Sequence, residues 1–273
     1  MNDLGKTTLQ TYIAAVRPRC EQDVVQVVKY AKSRGIPLAA RSGHHCVTTT
    51  MKGLQNGIVL DMRSINNMDF DAKKLEVTVG GGVLVDDFTK YLYGLGMEVS
   101  KSSENLRQEI CEVVGRRHTA GRLSHLSLSI SADSEYHNLA VGSCPTTGII
   151  GVAFGAGLGR LQGKYGYLND NMISCRMVLA DGSTITVSQE SHPDLFWAIR
   201  GAGHNFGIAV EATFRVYPQT NQGIHHTWDF EYRLEKCEKI FELLNHVHDI
   251  MPPELAIFVL WRRESSSGEK VCC

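Results

Sequence analysis

The segment AARSGHHCVTTT at 39–50 places three reactive side chains, His44, His45 and Cys46, directly after an Arg-Ser-Gly turn. Imidazole nitrogens and thiolates bind metal ions or act as nucleophiles. The small residues before them also allow the backbone to approach a bulky ligand closely. The segment alone therefore leaves three possibilities open: a metal site, a nucleophile, or a loop that holds something much larger than an ion.

Composition excludes several classes of function. The chain has 273 residues with 28 basic and 29 acidic side chains, so it lacks the positive excess typical of nucleic-acid-binding proteins. No apolar run is long enough to cross a bilayer, and the start MNDLGKTTLQ lacks the basic and apolar regions of a signal peptide. We therefore expect a cytoplasmic protein with no membrane partner. Its cysteines are expected to be thiols, and they lack the C-x-x-C spacing of a zinc site.

The reactive turn follows a predicted strand–helix–strand unit. Residues 12–18 have the pattern of a strand, and 21–35 have valines at helical spacing with Gly35 as the C-cap. Residues 36–41 then form a buried strand that ends at the turn. The pattern next predicts strands at 57–63 and 75–82 and a helix at 83–96.

The second part of the chain begins with a glycine-rich segment, and further helices and strands are predicted after it. The glycines of 141–172 permit close backbone approach to a ligand. An Asp181-Gly182 turn predicts a hairpin over 175–188. The remaining predictions are a helix, glycine loop and strand over 194–218, an amphipathic helix at 234–250, a strand at 254–263 and a disordered polar end at 264–273.

Glycine loops usually bring backbone N–H groups against phosphate oxygens. Here Gly201, Gly203 and Gly207 follow the pattern G-x-G-x-x-x-G and not the G-x-G-x-x-G of a Rossmann nicotinamide dehydrogenase, and the chain has no Walker A loop. This pattern favours several separate loops that share one long ligand. An extended dinucleotide with a fused-ring head group fits this pattern.

Six motifs occur in an order that resembles a known family: RSGHH, GIVLDMRSIN, GSCPTTGIIG, GKYGYLNDN, VLADGS and DLFWAIRGAGHNFGI. Over roughly 12–218 the chain resembles the FAD-linked oxidases of the vanillyl-alcohol-oxidase superfamily, and most of all their berberine-bridge-enzyme-like branch in fungi. The resemblance implies an α+β fold. A PCMH-type FAD-binding domain of two small α/β subdomains would occupy 1–218, and 219–273 would begin an incomplete, sheet-based substrate domain.

The resemblance also implies the cofactor, FAD, and its contacts. The histidine that bonds covalently to the flavin 8α-methyl group matches His45, and the cysteine that attaches to flavin C6 in doubly linked members matches Cys144. His44 stands where a glycine is usual. The other cofactor-binding positions implied are Arg41, Ser42, Gly43, His44, Cys46, Pro145, Thr146, Thr147, Gly148, Gly151, Asn171, Asn205 and Ile208.

The activity implied is hydride transfer from a small secondary metabolite to flavin N5, with reoxidation by O2. Fungal relatives commonly serve alkaloid or polyketide pathways, including oxidative cyclisations of the ergot-alkaloid type. The catalytic base usually lies later in the substrate sheet, so none is assigned, and no metal is expected. The alternative is a truncated, inactive flavoprotein remnant.

One segment departs from the family pattern. Residues 101–140 interrupt the motif order, carry many serines and arginines, and show no clear helix or strand period. We interpret this insert as a retained intron. The pairs His225-His226 and His246-x-His248 resemble metal ligands, but we expect them to be exposed polar histidines.

Overall fold

The computed structural model describes residues 11–43, 45, 54–98, 145–219, 224, 232–257, 259, 261–263 and 270–272. The strands are β1 (Tyr12–Val16), β2 (Leu38–Arg41), β3 (Gly57–Asp61), β4 (Met68–Asp71), β5 (Glu76–Gly80), β6 (Met97–Glu98), β7 (Met172–Val178), β8 (Thr184–Ser188), β9 (Ile208–Arg215), β10 (Tyr217–Pro218), β11 (Tyr232–Arg233), β12 (Trp261–Arg263) and β13 (Lys270–Cys272). The α-helices are α1 (Glu21–Arg34), α2 (Val85–Gly94), α3 (Ile149–Gly155), α4 (Gln162–Tyr165), α5 (Pro193–Ala202) and α6 (Cys237–His248). Among these residues, no helix is long and apolar enough to cross a membrane.

A three-stranded parallel sheet of order β1-β3-β2 forms the first subdomain. The predicted strand–helix–strand unit is confirmed, with α1 joining the two outer strands. Gly35 ends α1 at a φ of 63°, a backbone conformation that glycine adopts without strain. Because the strands are parallel, their carboxyl ends lie at one edge of the sheet, and Arg41 pairs there with Asp61.

A five-stranded antiparallel sheet of order β4-β5-β9-β7-β8 forms the second subdomain. The predicted hairpin is confirmed as β7 and β8, with Gly182 at a φ of 81° in the turn. Helices α2, α3 and α5 contribute to the core on this sheet. The mixed α and β architecture in two small subdomains is the fold class that the motifs implied.

Two clusters of buried apolar side chains hold these layers together. The larger cluster joins the five-stranded sheet to its helices and contains Phe88 and Phe214. The smaller cluster joins Val24 and Val28 of α1 to both sheets, with Leu60 from β3 and further side chains from β7 and β9. Helix α1 is therefore packed against both sheets and couples the two subdomains.

The segment after β10 differs from its prediction in two places. The strand expected at 254–263 begins only at Trp261, because Leu255 donates its backbone N–H to the Pro252 carbonyl in a turn. The disorder expected over 264–273 is wrong for Lys270–Cys272, which form β13 between β11 and β12. Strand pairing uses backbone groups, so a polar composition does not exclude it.

Candidate cofactor-binding site

Two loops about a hundred residues apart in sequence meet at the predicted site. A Cβ atom on Gly43 would clash with the carbonyl oxygen of Thr146, and one on Gly148 would clash with the Ser42 hydroxyl. The two loops thus pack backbone against backbone, at a separation that only glycine permits. Four of the residues predicted from the sequence are brought into direct contact.

His45 is held by the second of these loops. Its Nε2 lies 2.6 Å from the Thr146 hydroxyl oxygen, across 101 positions of sequence. The hydroxyl either donates to this nitrogen or accepts from it, depending on the imidazole tautomer. Both residues are exposed. The hydrogen bond therefore fixes the orientation of an imidazole that remains open to a ligand.

The loop from Pro145 to Gly148 is anchored on the start of α2. Val85 donates its backbone N–H to the Thr147 carbonyl at 2.9 Å, and Asp86 donates to the Pro145 carbonyl at 3.0 Å. These donors come from the first turn of a helix, where N–H groups have no partner within the helix. The anchoring makes the loop a fixed support for His45. Gly151, in α3, is exposed.

Three further predicted residues lie in different surroundings. Asn171 is 3% exposed; its amide donates to the carbonyls of Tyr165 and Tyr167, and its carbonyl accepts from the Tyr217 hydroxyl. Its hydrogen bonds therefore serve the fold. Asn205 is exposed and donates to the Ala202 carbonyl, whereas Ile208 is half-buried against the smaller core cluster. Of the three, Asn205 is the most accessible to a ligand.

Three other predicted residues, His44, Cys46 and Cys144, lie outside the described part of the chain. His246 and His248 are exposed on α6, as expected. Within the described residues, no group of three His, Cys, Asp or Glu side chains is placed to hold a metal ion.

A feature that the sequence reasoning missed lies at the carboxyl edge of the parallel sheet. Asp61 accepts from Arg17 Nη2 at 3.0 Å and from Arg63 Nη2 at 2.6 Å, and Arg41 Nη2 lies 3.7 Å from the same carboxylate. The hydrogen bonds from Arg63, and then that from Arg17, hold the pKa of Asp61 well below its usual range despite its burial. The missing signal was the strand order, which places Asp61 between Arg17, the residue after β1, and Arg41, the last residue of β2.

A cavity of about 390 Å³ lies beside α5, away from these two loops. Its lining includes Asp170, Trp197, Arg200 and Phe206 but no predicted cofactor residue. Most of the predicted cofactor residues that the structure describes lie instead on the two glycine loops.

The chain is similar to several known proteins. Residues 12–105 match the FAD binding domain family. The FAD-linked oxidoreductase alt4 of Alternaria solani is 49% identical over 261 residues, which cover 96% of this chain and 43% of that protein. Among solved structures, a BBE-like protein of Physcomitrella patens has 25% identity and a TM-score of 0.58, covering 77% of this chain and 38% of its own.

A second solved structure extends the fold comparison. The glucooligosaccharide oxidase of Acremonium strictum has a TM-score of 0.68 at 20% identity, covering 96% of this chain and 46% of its own. The chain thus spans less than half the length of the relatives it matches. Over residues 12–105 the chain thus matches the FAD binding domain family, and it is similar to the fungal FAD-linked oxidoreductase alt4 and to the BBE-like protein of Physcomitrella patens.

Proposed function

We propose that the chain is the FAD-binding part of an oxidase that acts on a small secondary metabolite and transfers its electrons to O2. The observation that supports this proposal most directly is the hydrogen bond between His45 and Thr146, where two glycine loops meet. An exposed imidazole held in one orientation, inside an FAD-binding domain, is suited to contact a flavin ring.

The residues present fit a flavin dinucleotide. Gly43 and Gly148 leave no side chain between the two loops, so backbone groups are close to any ligand that lies along them. The guanidinium groups of Arg17, Arg41 and Arg63, at the edge of the parallel sheet, can donate hydrogen bonds to phosphate groups. We propose that His45 attaches the flavin covalently and that Cys144 supplies a second attachment. In support, the Acremonium strictum structure is described as revealing a novel flavinylation.

The bound flavin would supply the redox chemistry, accepting a hydride from the substrate carbon at N5 and giving its electrons to O2. The chain's own residues bind and orient it: Thr146 fixes the imidazole of His45, and the start of α2 fixes the loop that carries Thr146. We place this binding function in residues 1–218 and the start of the substrate domain in 219–273.

Our proposal for the substrate class rests on the motif resemblance to fungal members of the family. We propose a metabolite of an alkaloid or polyketide pathway, with oxidative cyclisation of the ergot-alkaloid type as one such reaction. The relationship to alt4 of Alternaria solani supports a fungal FAD-linked oxidoreductase.

The test begins with purified full chain precipitated in acid. A yellow pellet is expected, because flavin that is bonded covalently stays with the protein, and substrate-dependent peroxide formation without added NAD(P) should follow. A colourless chain that binds no added FAD would instead support the inactive remnant. Activity that requires NAD(P) would contradict the oxidase.

A further inference from the structure

The glycine loop after α5 packs closely against helix α3. A Cβ atom on Gly203 would overlap the aromatic ring of Phe154, a residue of α3 that is 4% exposed. The next residue, His204, places its ring at an angle of 87° to the same phenyl ring, with the ring centroids 5.7 Å apart. Phe154 therefore fixes the place of an exposed imidazole on the surface of α3.

This packing brings the imidazole of His204 to the first turn of α3. A Cβ atom on Gly151 would lie 4.0 Å from His204 Nε2. Gly151 is exposed and precedes Phe154 by three residues, so both positions lie on the same side of the helix. Because glycine has no side chain, Nε2 borders the open surface of α3 at this position.

Two predicted cofactor positions from separate motifs lie beside His204. Gly151 belongs to GSCPTTGIIG and Asn205 to DLFWAIRGAGHNFGI, and both residues are exposed. Asn205 follows His204 in the same short 3-10 helix, Gly203–Asn205. The motif resemblance assigned these two neighbours and left His204 without a role. The fold brings the histidine into contact with the cofactor positions of both motifs.

The second glycine loop indicates which part of FAD lies near His204. That loop holds His45, the proposed point of flavin attachment, and α3 follows it directly. Gly151 is three residues beyond Gly148, a distance of about 5 Å along the helix axis. In FAD the ring lies next to the attachment point, and the diphosphate lies beyond the ribityl chain. A residue this near to the loop therefore matches the flavin end of the cofactor.

We propose that His204 is a further flavin-binding residue, whose imidazole forms a hydrogen bond to the isoalloxazine ring or the ribityl chain through Nε2. This inference rests on the proposed FAD-binding function and extends it to a residue outside the predicted set. A neutral imidazole has one N–H donor and one acceptor nitrogen, which suits it to the carbonyl oxygens of the ring and to the ribityl hydroxyls. Phe154 is the positioning residue that holds the imidazole there.

The experiment measures ligand affinity in the full chain, with His45→Ala and Cys144→Ala introduced so that binding is reversible. Calorimetry gives the Kd of FAD, riboflavin and ADP. In this background, His204→Ala should weaken FAD and riboflavin binding by about tenfold, the effect of one hydrogen bond, and leave ADP binding unchanged because ADP lacks the flavin. His246→Ala is the matched control, since it removes an exposed imidazole from α6.

Two further substitutions separate hydrogen bonding from ring packing. His204→Phe keeps an aromatic ring against Phe154 but has no N–H, so it should weaken riboflavin binding as much as His204→Ala does. His204→Asn retains an amide that can donate and accept, and it should recover part of the affinity. Riboflavin affinity in the His204→Phe variant that equals the parent's would overturn the proposal, because ring packing alone would then account for the residue.

The remaining outcomes separate this inference from the proposed function. FAD and riboflavin binding that His204→Ala leaves unchanged would overturn the role of His204 and leave the flavoprotein intact. An equal loss of ADP binding would identify a general structural effect and also overturn the flavin contact. A background chain that binds neither FAD nor riboflavin would contradict the proposed function itself.

Discussion

The Thr146 hydroxyl forms a hydrogen bond to His45 that connects it to the second glycine loop. Both residues are exposed, so their hydrogen bond contributes little to folding stability, on the order of 1 kcal/mol or less. Its importance lies in the orientation of the imidazole. A reacting nitrogen that is turned away from the flavin cannot bond to it, however the rest of the loop is arranged.

Thr146→Val tests this role, because it replaces the hydroxyl with a methyl group of similar size. We expect a chain of nearly unchanged stability in which a smaller fraction of His45 carries flavin, measured by mass spectrometry of the digested protein. Thr146→Ser retains the hydroxyl, so the fraction of His45 that carries flavin should equal that of the unchanged chain. Equal flavin content in the Val and Ser variants would show that the hydrogen bond has no part in attachment.

Asp61 contributes to the stability of the folded chain through its ion pairs with three arginines. Its pKa is depressed in the folded protein, first by Arg63 and then by Arg17. A depressed folded pKa gives stability that is fully present above the unfolded value of about 3.9 and is lost as the pH falls toward the folded value. Asp61→Asn should therefore destabilise the chain by about 2 kcal/mol at pH 7, and this difference should shrink below about pH 4.

Urea unfolding at pH 7 and at acidic pH measures the effect of Asp61→Asn. Asp69→Asn is the control, because Asp69 is an exposed carboxylate on β4. A destabilisation by Asp61→Asn that is the same at both pH values would mean that packing, and not the charge of Asp61, causes it.

At the scale of elements, the contact between the two glycine loops includes two close approaches, Gly43 with Thr146 and Gly148 with Ser42. A methyl group at Gly148 would meet the Ser42 hydroxyl. Gly148→Ala should therefore separate the loops, lower the flavin content of His45 and cost about 1–3 kcal/mol of stability. Ser42→Gly removes the atoms that clash, so the double variant should recover both quantities.

The measurements are the flavin content and the urea unfolding of the two single variants and of the double variant. If the effects of the two substitutions are additive and the double variant recovers neither quantity, residues 148 and 42 do not clash in Gly148→Ala.

Besides the apolar packing of α1, an ion pair from α1 to β7 links the two subdomains. Arg176 donates from Nε and Nη2 to the two carboxylate oxygens of Glu21, at 2.7 and 2.9 Å. Both side chains are about a third exposed, so Glu21→Gln should cost only about 1 kcal/mol in urea unfolding. Asp87→Asn is a matched control, because it also removes an acid from the first turn of a helix. An equal loss in both variants would assign the effect to the helix terminus.

Much of this element structure follows from local sequence signals. The helical valine spacing before Gly35 predicts α1, and Asp181-Gly182 predicts the hairpin, because each depends on residues close in sequence. Strand β4 was missed because Met68–Asp71 is short and half of it is aspartate. The Asp61 cluster required the order of the strands in the sheet, and local sequence signals do not determine that order.

The predicted site also contains residues whose role depends on the fold and not on local sequence signals. Motif resemblance found Ser42, Gly43, Thr146 and Gly148, which the fold brings into contact. It also named Asn171, whose side chain the structure uses to bind tyrosine carbonyls and a tyrosine hydroxyl. A motif residue can thus serve the fold of its loop instead of the ligand, and sequence alone does not separate the two roles.

At the scale of the whole molecule, the described residues supply binding and orientation. Helix α1 packs against both sheets, so the two loops are supported by one continuous structure. The chain spans less than half of its relatives' length, and we propose that residues 219–273 begin the part that contacts the substrate. The central claim is therefore one of attachment: the flavin is held at His45.

Peptide mapping of the purified full chain tests this claim most directly. The protein is denatured, digested and fragmented by mass spectrometry to locate any peptide that carries flavin. The account predicts flavin on the peptide that contains His45, with a second link to the peptide that contains Cys144. Flavin bonded to a different residue, or a bound flavin released entirely on denaturation, would contradict it.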